Sequence, residues 1–253
     1  MCIRDSLKAG CQLSACAEQI DRIDDMVEEK VDYAFSPRFG YLTACPTNLG
    51  TGIRVSVMLH LPALKMTRQI EKFLNAAKDM NLAVRGLFGE GSEAASDLYQ
   101  ISNQVTLGVS EKTIVANFEE AIIPEIVEYE KIARQQLLAN EVDALDDKIS
   151  RAMALLQNAH LISSQEALFL LSHLRLGLNM HEHMGAATPA IKRLCALRAK
   201  ADLDETRGLS IRTINRLFML TLPAHLQLNY GKSLDATHRD ALRARIIREA
   251  LNQ

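Results

Sequence analysis

The run Gly40-Tyr-Leu-Thr-Ala-Cys45-Pro-Thr-Asn-Leu-Gly50-Thr-Gly52, with Arg54 just beyond it, gathers a thiol, two loop glycines and a guanidinium in one short stretch. Glycines let backbone amides approach a bound anion closely, and the guanidinium offers a fork of donors suited to phosphate oxygens. The same residues also describe a hairpin turn with a buried thiol and a surface arginine. A second run, Arg85-Gly86-Leu87-Phe88-Gly89-Glu90-Gly-Ser-Glu93, delivers an arginine from a strand and then a glycine-flanked carboxylate. A carboxylate on a hinged loop suits a group that closes over a cationic substrate, although Gly-Glu-Gly equally describes an exposed turn.

Near the C-terminus, Thr237-His-Arg239-Asp240-Ala-Leu-Arg243-Ala244 sets two arginines one helical turn apart with an acid beside them. Such a pair could clamp a phosphate while Asp240 held a guanidinium, or it could be a charged helix start with Thr237 as N-cap and solvated arginines. His181-Glu-His183 lacks the HExxH spacing that puts two ligands on one helix face, so exposed histidines are the expectation there. His60 lies in an apolar strand and reads as a hydrogen-bonded core residue rather than a base.

The elements that must position these residues follow from periodicity. Ile20, Ile23, Val27, Val31 and Phe35 recur at helical spacing, which predicts an amphipathic helix over 12–35. Segments 40–45, 53–61, 82–88 and 99–107 are rich in Val, Leu, Tyr and Thr and are bounded by Gly, Pro, Asn or Ser, which predicts strands. Between the second and third, Ile70, Phe73, Leu74 and Ala77 predict one helix over 65–80 packed on the sheet. Ser110, Ser163 with Glu166, and Thr188 before Pro189 are predicted helix starts. From Glu125 onward the periodicity is helical throughout.

The chain of 253 residues is 48% hydrophobic with a net charge of -2, so it has ample core and no chain-wide basic field for nucleic acid. Five cysteines without CxxC spacing suit a reducing cytoplasm, and no apolar run approaches the roughly 18 residues of a membrane helix. The expectation is an α+β domain over residues 1–130 and an all-helical domain over 131–253. Met1–Ser6 joins no periodic pattern, and an incomplete or misjoined N-terminus is expected.

Read in order, GYLTACPTNLGTGIR, SVMLHLPAL, RGLFGEGSEA and YQISNQVTLG resemble the catalytic domain of the phosphagen kinases, the ATP:guanidino phosphotransferases. Ser56-Val-Met-Leu-His60, the GEGSEA loop, SNQ and the helical extension resemble specifically the bacterial protein arginine kinase branch. The resemblance runs from about Gln19 to the C-terminus. It implies a phosphagen-kinase catalytic fold, an antiparallel sheet flanked by helices, joined to a helical dimerisation domain, hence a homodimer. It implies ATP with Mg2+ as cofactor, bound along Arg54, Val55, Ser56, Val57 and Met58 and along Arg85, Gly86, Leu87, Phe88, Gly89 and Glu90. Arg54 and Arg85 match the nucleotide-phosphate arginines, Glu90 matches a carboxylate that grips the acceptor guanidinium, and Cys45 matches the cysteine beside it. A thiolate at Cys45 would need that cation and the neighbouring arginines to lower its pKa.

The same resemblance implies a phosphoarginine-binding role for Arg239, Asp240, Arg243 and Ala244, which match the RDxxRA motif. Implied partners are arginine-containing protein substrates, a zinc-binding activator protein and Clp-type stress-response protease machinery. The family's upstream segment, with further phosphate-binding arginines and a second catalytic carboxylate, has no counterpart here, so weak or absent activity is expected of the chain alone. The stretch from His181 to Glu205 is longer than the family's usual connection. Two other functions fit the residues: a kinase for free arginine or another guanidino metabolite, and an inactive scaffold that binds nucleotide or phosphoarginine.

Overall fold

The computed structural model describes residues 4–86, 96–200, 209–230 and 234–252, with backbone only over 197–200. Helix α1 (Leu13–Glu28) ends earlier than its apolar spacing suggests. Phe35 leaves the helical stripe for a two-stranded hairpin, β1 (Phe35–Ser36) and β2 (Gly40–Tyr41), where the rings of Tyr33 and Phe35 meet Tyr41 edge-on at 5.7 and 5.3 Å. Aromatic edge-to-face contact and two strand partners outweigh continuation of a helix with no buried residue.

The main sheet is antiparallel, in the order β3 (Ser56–His60), β5 (Leu98–Asn103), β4 (Leu82–Gly86). Its register pairs Met58 with Gln100 and Gln100 with Arg85. One face carries Leu82, Tyr99 and Ile101 into the apolar core. Strands β3 and β5 stop short of the segments 53–61 and 99–107 that their composition suggests. The chain turns out of the ladder after Asn103, whose side chain takes the amide of Val55 at 2.8 Å, and Thr106 turns towards the loop that holds Cys45.

The helix expected over 65–80 is two helices, α2 (Pro62–Met66) and α3 (Ile70–Asp79). Arg68 between them has a φ of 59°, a left-handed conformation that stops an α-helix, and Thr67 turns its hydroxyl back onto the carbonyl of Ala63 at 2.8 Å. Ser110 caps α4 (Glu111–Asn117) by accepting from Thr113 N at 3.1 Å. One π-helical turn, Phe118–Ile122, leads into α5 (Ile123–Asn140), so the 130/131 division falls within a single helix.

Beyond it come α6 (Val142–Asn158), α7 (Ser164–Met184), α8 (Pro189–Lys200), α9 (Ile211–Leu220), α10 (Pro223–Tyr230) and α11 (Ala236–Leu251). Ser163 accepts from Glu166 N at 3.2 Å and Thr188 from Ile191 N at 3.4 Å, as expected of N-caps. At α11 the cap is Asp235, not Thr237: its carboxylate accepts from His238 N at 2.8 Å, and Thr237 is already helical. An aspartate two residues earlier offers the stronger charge-assisted cap.

Packing joins α2 to α5, and α7 to α6, α8 and α9, while α2 also touches α7. The apolar core is continuous from Val55 and Ile101 through Ile126 and Leu137 to Leu171, Leu174, Leu217 and Ile247. Among the described residues, no helix is long and apolar enough to cross a membrane.

Candidate active site

Side chains alternate along a strand, and directly paired residues share a face. Ser56, Met58, Gln100 and Arg85 therefore lie on one face of the sheet, opposite the one that carries Tyr99 and Ile101. Arg54 is exposed and lies just before β3, where Asn103 N still donates to the carbonyl of Val55 at 3.3 Å. From about 3.3 Å per residue and about 4.8 Å per strand, the Cα atoms of Arg54 and Arg85 are roughly 16 Å apart. Two long side chains of that spacing can reach towards one polyanion between them. Arg54 and Met58 are exposed, Ser56, Val57 and Arg85 half-buried, and Val55 and Gly86 buried. The face is open at its middle, where Met58 is 44% exposed.

Cys45 stands at the tip of a closed loop. Tyr41 and Gly50 exchange backbone hydrogen bonds at 2.8 and 3.3 Å, and Pro46–Asn48 forms one 3-10 turn behind the thiol. Thr106 ties this loop to the exit of β5 by donating to the carbonyls of Thr47 at 3.3 Å and Leu49 at 2.7 Å. The loop therefore sits at the end of the sheet where Arg54 enters β3.

Gly50 has a φ of 110°, and a Cβ there would run into the backbone of Thr106 and Leu107. Its amide already serves Tyr41, so the glycine's part is the close crossing of two chain segments rather than the cradling of an anion. Gly52, with a φ of 65° and only the Asn48 carbonyl oxygen within reach of a Cβ, at 3.9 Å, turns the chain towards Arg54.

Cys45 is exposed rather than buried, and its thiol is held below the ordinary value. The cause is Thr47, whose hydroxyl lies 3.0 Å from the sulfur and whose backbone N–H also faces it. Sequence reasoning looked to arginines for this effect; the local turn supplies it. Leu87, Phe88, Gly89 and Glu90 lie outside the described residues.

At the other end of the molecule, Arg239 and Asp240 are half-buried on α11 and Arg243 is only 1% exposed. Arg243 donates to the carbonyl of Thr221 at 2.8 Å, to that of Ile162 at 2.7 Å and to the Asp240 carboxylate at 2.6 Å. Arg239 reaches back to the carbonyl of Leu234 at 2.5 Å, and Ala244 is buried. His181, Glu182 and His183 are exposed at the end of α7.

Sequence reasoning missed a second polar cluster, between the sheet and α7. His60, Asp97 and Ser172 are each buried, as is Glu130 on α5, which accepts from the amides of Ala63 and Leu64 at 3.1 and 3.0 Å and from Arg134 at 2.8 Å. Burial pushes the Glu130 carboxyl up, against the pull of Arg134, and pulls the nearby Arg175 guanidinium down to about 10. The available signal was the isolated polar residues Glu130 and Ser172 among apolar helical positions.

Comparison with known proteins bears directly on this arrangement. Residues 3–133 match the model of the ATP:guanido phosphotransferase C-terminal catalytic domain. The chain belongs to that family. Residues 142–187 and 182–253 match the protein-arginine kinase McsB C-terminal domain, in two overlapping stretches that meet at the HEH segment. The chain is 47% identical over 175 residues to the protein-arginine kinase of Clostridium acetobutylicum, covering 69% of this chain and 51% of that one. It is 50% identical over 171 residues to the protein-arginine kinase of Halothermothrix orenii, covering 68% and 49%. The chain thus spans about half the length of the curated relatives it matches. The phosphagen-kinase fold expected from the sequence is the one its family membership assigns.

Proposed function

We propose that this chain is the catalytic and helical portion of a protein arginine kinase, transferring the γ-phosphoryl of ATP to arginine side chains of proteins. The reading is supported by Arg85 on the same sheet face as Ser56 and Met58, with the exposed Arg54 just before that strand, in a chain whose relatives are named protein-arginine kinase. Two guanidinium groups so placed fit the negative charge of a triphosphate, and their fixed positions offset charge as it shifts during transfer. Val55, Ser56, Val57, Met58 and Gly86 would line the nucleotide beside them. Mg2+ would come with the phosphate oxygens and add its charge to theirs.

In the reaction a guanidino nitrogen of the acceptor bonds to the γ-phosphorus as the bond to the β–γ bridging oxygen breaks, ADP departs, and the nitrogen's proton passes to a carboxylate. Glu90 is our candidate for that carboxylate. Arginine's pKa above about 12 leaves little neutral nucleophile at pH 7, so a nearby acid must orient the group and take the proton. Cys45, exposed and with its thiol pKa held down by Thr47, is the candidate neighbour of that guanidinium.

We assign residues 131–253 a dimerising and regulatory role. Arg239 and Asp240 would meet a phosphoarginine, with Arg243 fixing Asp240 from behind. A zinc-binding activator, Clp-type protease machinery and a stress-response setting belong to the same reading, and the free thiols of Cys11, Cys16 and Cys45 suit a reducing cytoplasm.

The decisive experiment fuses the chain to the N-terminal half of the Clostridium acetobutylicum relative and supplies radiolabelled ATP with an unfolded arginine-rich protein or with free arginine. Acid-labile phosphate on the protein is the expected result. Label on free arginine alone would establish the metabolite kinase instead, and nucleotide binding without transfer would establish the scaffold.

A further inference from the structure

Asp97 immediately precedes β5 and is tied in three directions. Its carbonyl accepts from Leu61 N, just past β3, at 2.8 Å. One carboxylate oxygen takes Lys65 Nζ from α2 at 2.9 Å, and the other takes the hydroxyl of Ser172 from α7 at 2.6 Å. The residue is 5% exposed and has a φ of 54°, a left-handed conformation that a short polar side chain tolerates only when its surroundings hold it.

Ser172 is fully buried and its oxygen also lies 2.8 Å from His60 Nε2 at the end of β3. Proton counting fixes the directions. A carboxylate only accepts, so the single hydroxyl proton of Ser172 goes to Asp97, and the serine oxygen must then accept from His60 Nε2–H. The imidazole is the neutral Nε2–H tautomer, and its buried Nδ1, without a partner among the described residues, carries only a lone pair. The chain of bonds therefore runs one way, from His60 through Ser172 to Asp97.

We propose that Ser172 is a positioning residue for the strand that carries Arg85, acting from the helical part of the chain through Asp97. Asp97 leads directly into β5, the central strand, and Gln100 three residues on is the direct partner of both Met58 and Arg85. The carboxylate that Ser172 holds thus fixes where β5 enters the sheet and the setting of β4 against it. Residues of α7 thereby help set the phosphate-facing arginine without touching it. The catalytic consequence rests on the phosphoryl-transfer reading given above, whereas the positioning of the strands does not.

The test compares the chain with its Ser172→Ala, Asp97→Gly and Asp97→Asn variants by hydrogen exchange. Glycine keeps the left-handed backbone and removes the carboxylate; asparagine keeps both the backbone and an acceptor oxygen. Exchange over 82–86 and 98–103 is expected to quicken about tenfold or more in Ser172→Ala and Asp97→Gly, to recover in large part in Asp97→Asn, and to stay unchanged over α6. Unchanged exchange in those strands overturns the proposal, and if Ser172→Ala fails to fold, Asp97→Gly decides alone.

In the fused enzyme, kcat is expected to fall about tenfold or more in the same two variants, with recovery in Asp97→Asn. Faster strand exchange with full kcat would also overturn the positioning role. A parent protein without any transfer activity would count against the proposed function, and the exchange result would still settle the strand positioning.

Discussion

Arg243 and Ile162 are joined at 2.7 Å across 81 residues of sequence, the guanidinium holding the carbonyl that ends the α6–α7 connection. The bond is reciprocated, since Ile162 N donates to the carbonyl of Asp240 at 3.3 Å. The first turns of α11 are thus stitched to the turn before α7, and a further donor of the same arginine secures Thr221 at the end of α9.

Replacing Arg243 with alanine leaves two buried carbonyls unpaired and one acid without its partner, which should lower stability by about 3–5 kcal/mol. Lysine should recover little, because a single ammonium cannot reproduce the planar fork. Urea unfolding followed by helical circular dichroism measures this, and a loss under about 1 kcal/mol would contradict the buried-anchor role.

Glu130 supplies a second anchor, tying α5 to the start of α2 through two backbone amides and Arg134. Glutamine in its place presents one oxygen and one NH2 group, so an amide of Ala63 or Leu64 faces a donor. The expected loss is about 1–3 kcal/mol for a buried group left unpaired. The same urea titration reads it, and an unchanged midpoint would mean that α2 is held mainly by its buried Ala63 and Leu64.

The loop chemistry is accessible to alkylation. Thr47 holds the Cys45 thiol below its ordinary value, whereas burial and Glu119 push that of Cys11 up. Thiolate is the reactive form, so Cys45 should be the faster of the two towards iodoacetamide at pH 7. Thr47→Val should slow it by about two- to fivefold, read by mass spectrometry of the two peptides. Equal rates before and after the substitution would show that Thr47 does not tune the thiol.

The strands and the N-caps at Ser110, Ser163 and Thr188 could be read from sequence because each is local, a β-rich run or a capping side chain, whereas the antiparallel pairing came only with the family resemblance. What escaped was set by contacts between distant residues. The break at Arg68 depends on how α2 packs against α5, and the full burial of Arg243 beside a half-buried Arg239 depends on where α9 ends. The bond between Ser172 and Asp97 spans 75 residues, and no short motif announces it. Gly50 misled for a related reason, since its neighbour in space is Thr106.

The last prediction concerns acid. Burial holds His60 neutral, with a pKa well below 6.5, and Arg175, Arg134 and His173 add like charge that lowers it further. Asp97, through Ser172, is the acid that faces it, and Lys65 already pairs with that acid. In the unfolded chain this imidazole takes up a proton near pH 6.5, whereas the folded chain resists it. The unfolded state therefore binds more protons below that pH, and stability present above about pH 6.5 is lost as the pH falls. His60 should contribute a slope of about 1.4 kcal/mol per pH unit over that range. His173, also depressed by burial, adds to the measured slope in the same sense. His60→Gln does not titrate, so unfolding free energies measured from pH 7.5 down to pH 5 should show a slope smaller by that one proton. Parallel curves for the two proteins would mean that the folded chain accepts a proton at His60 as readily as the unfolded one.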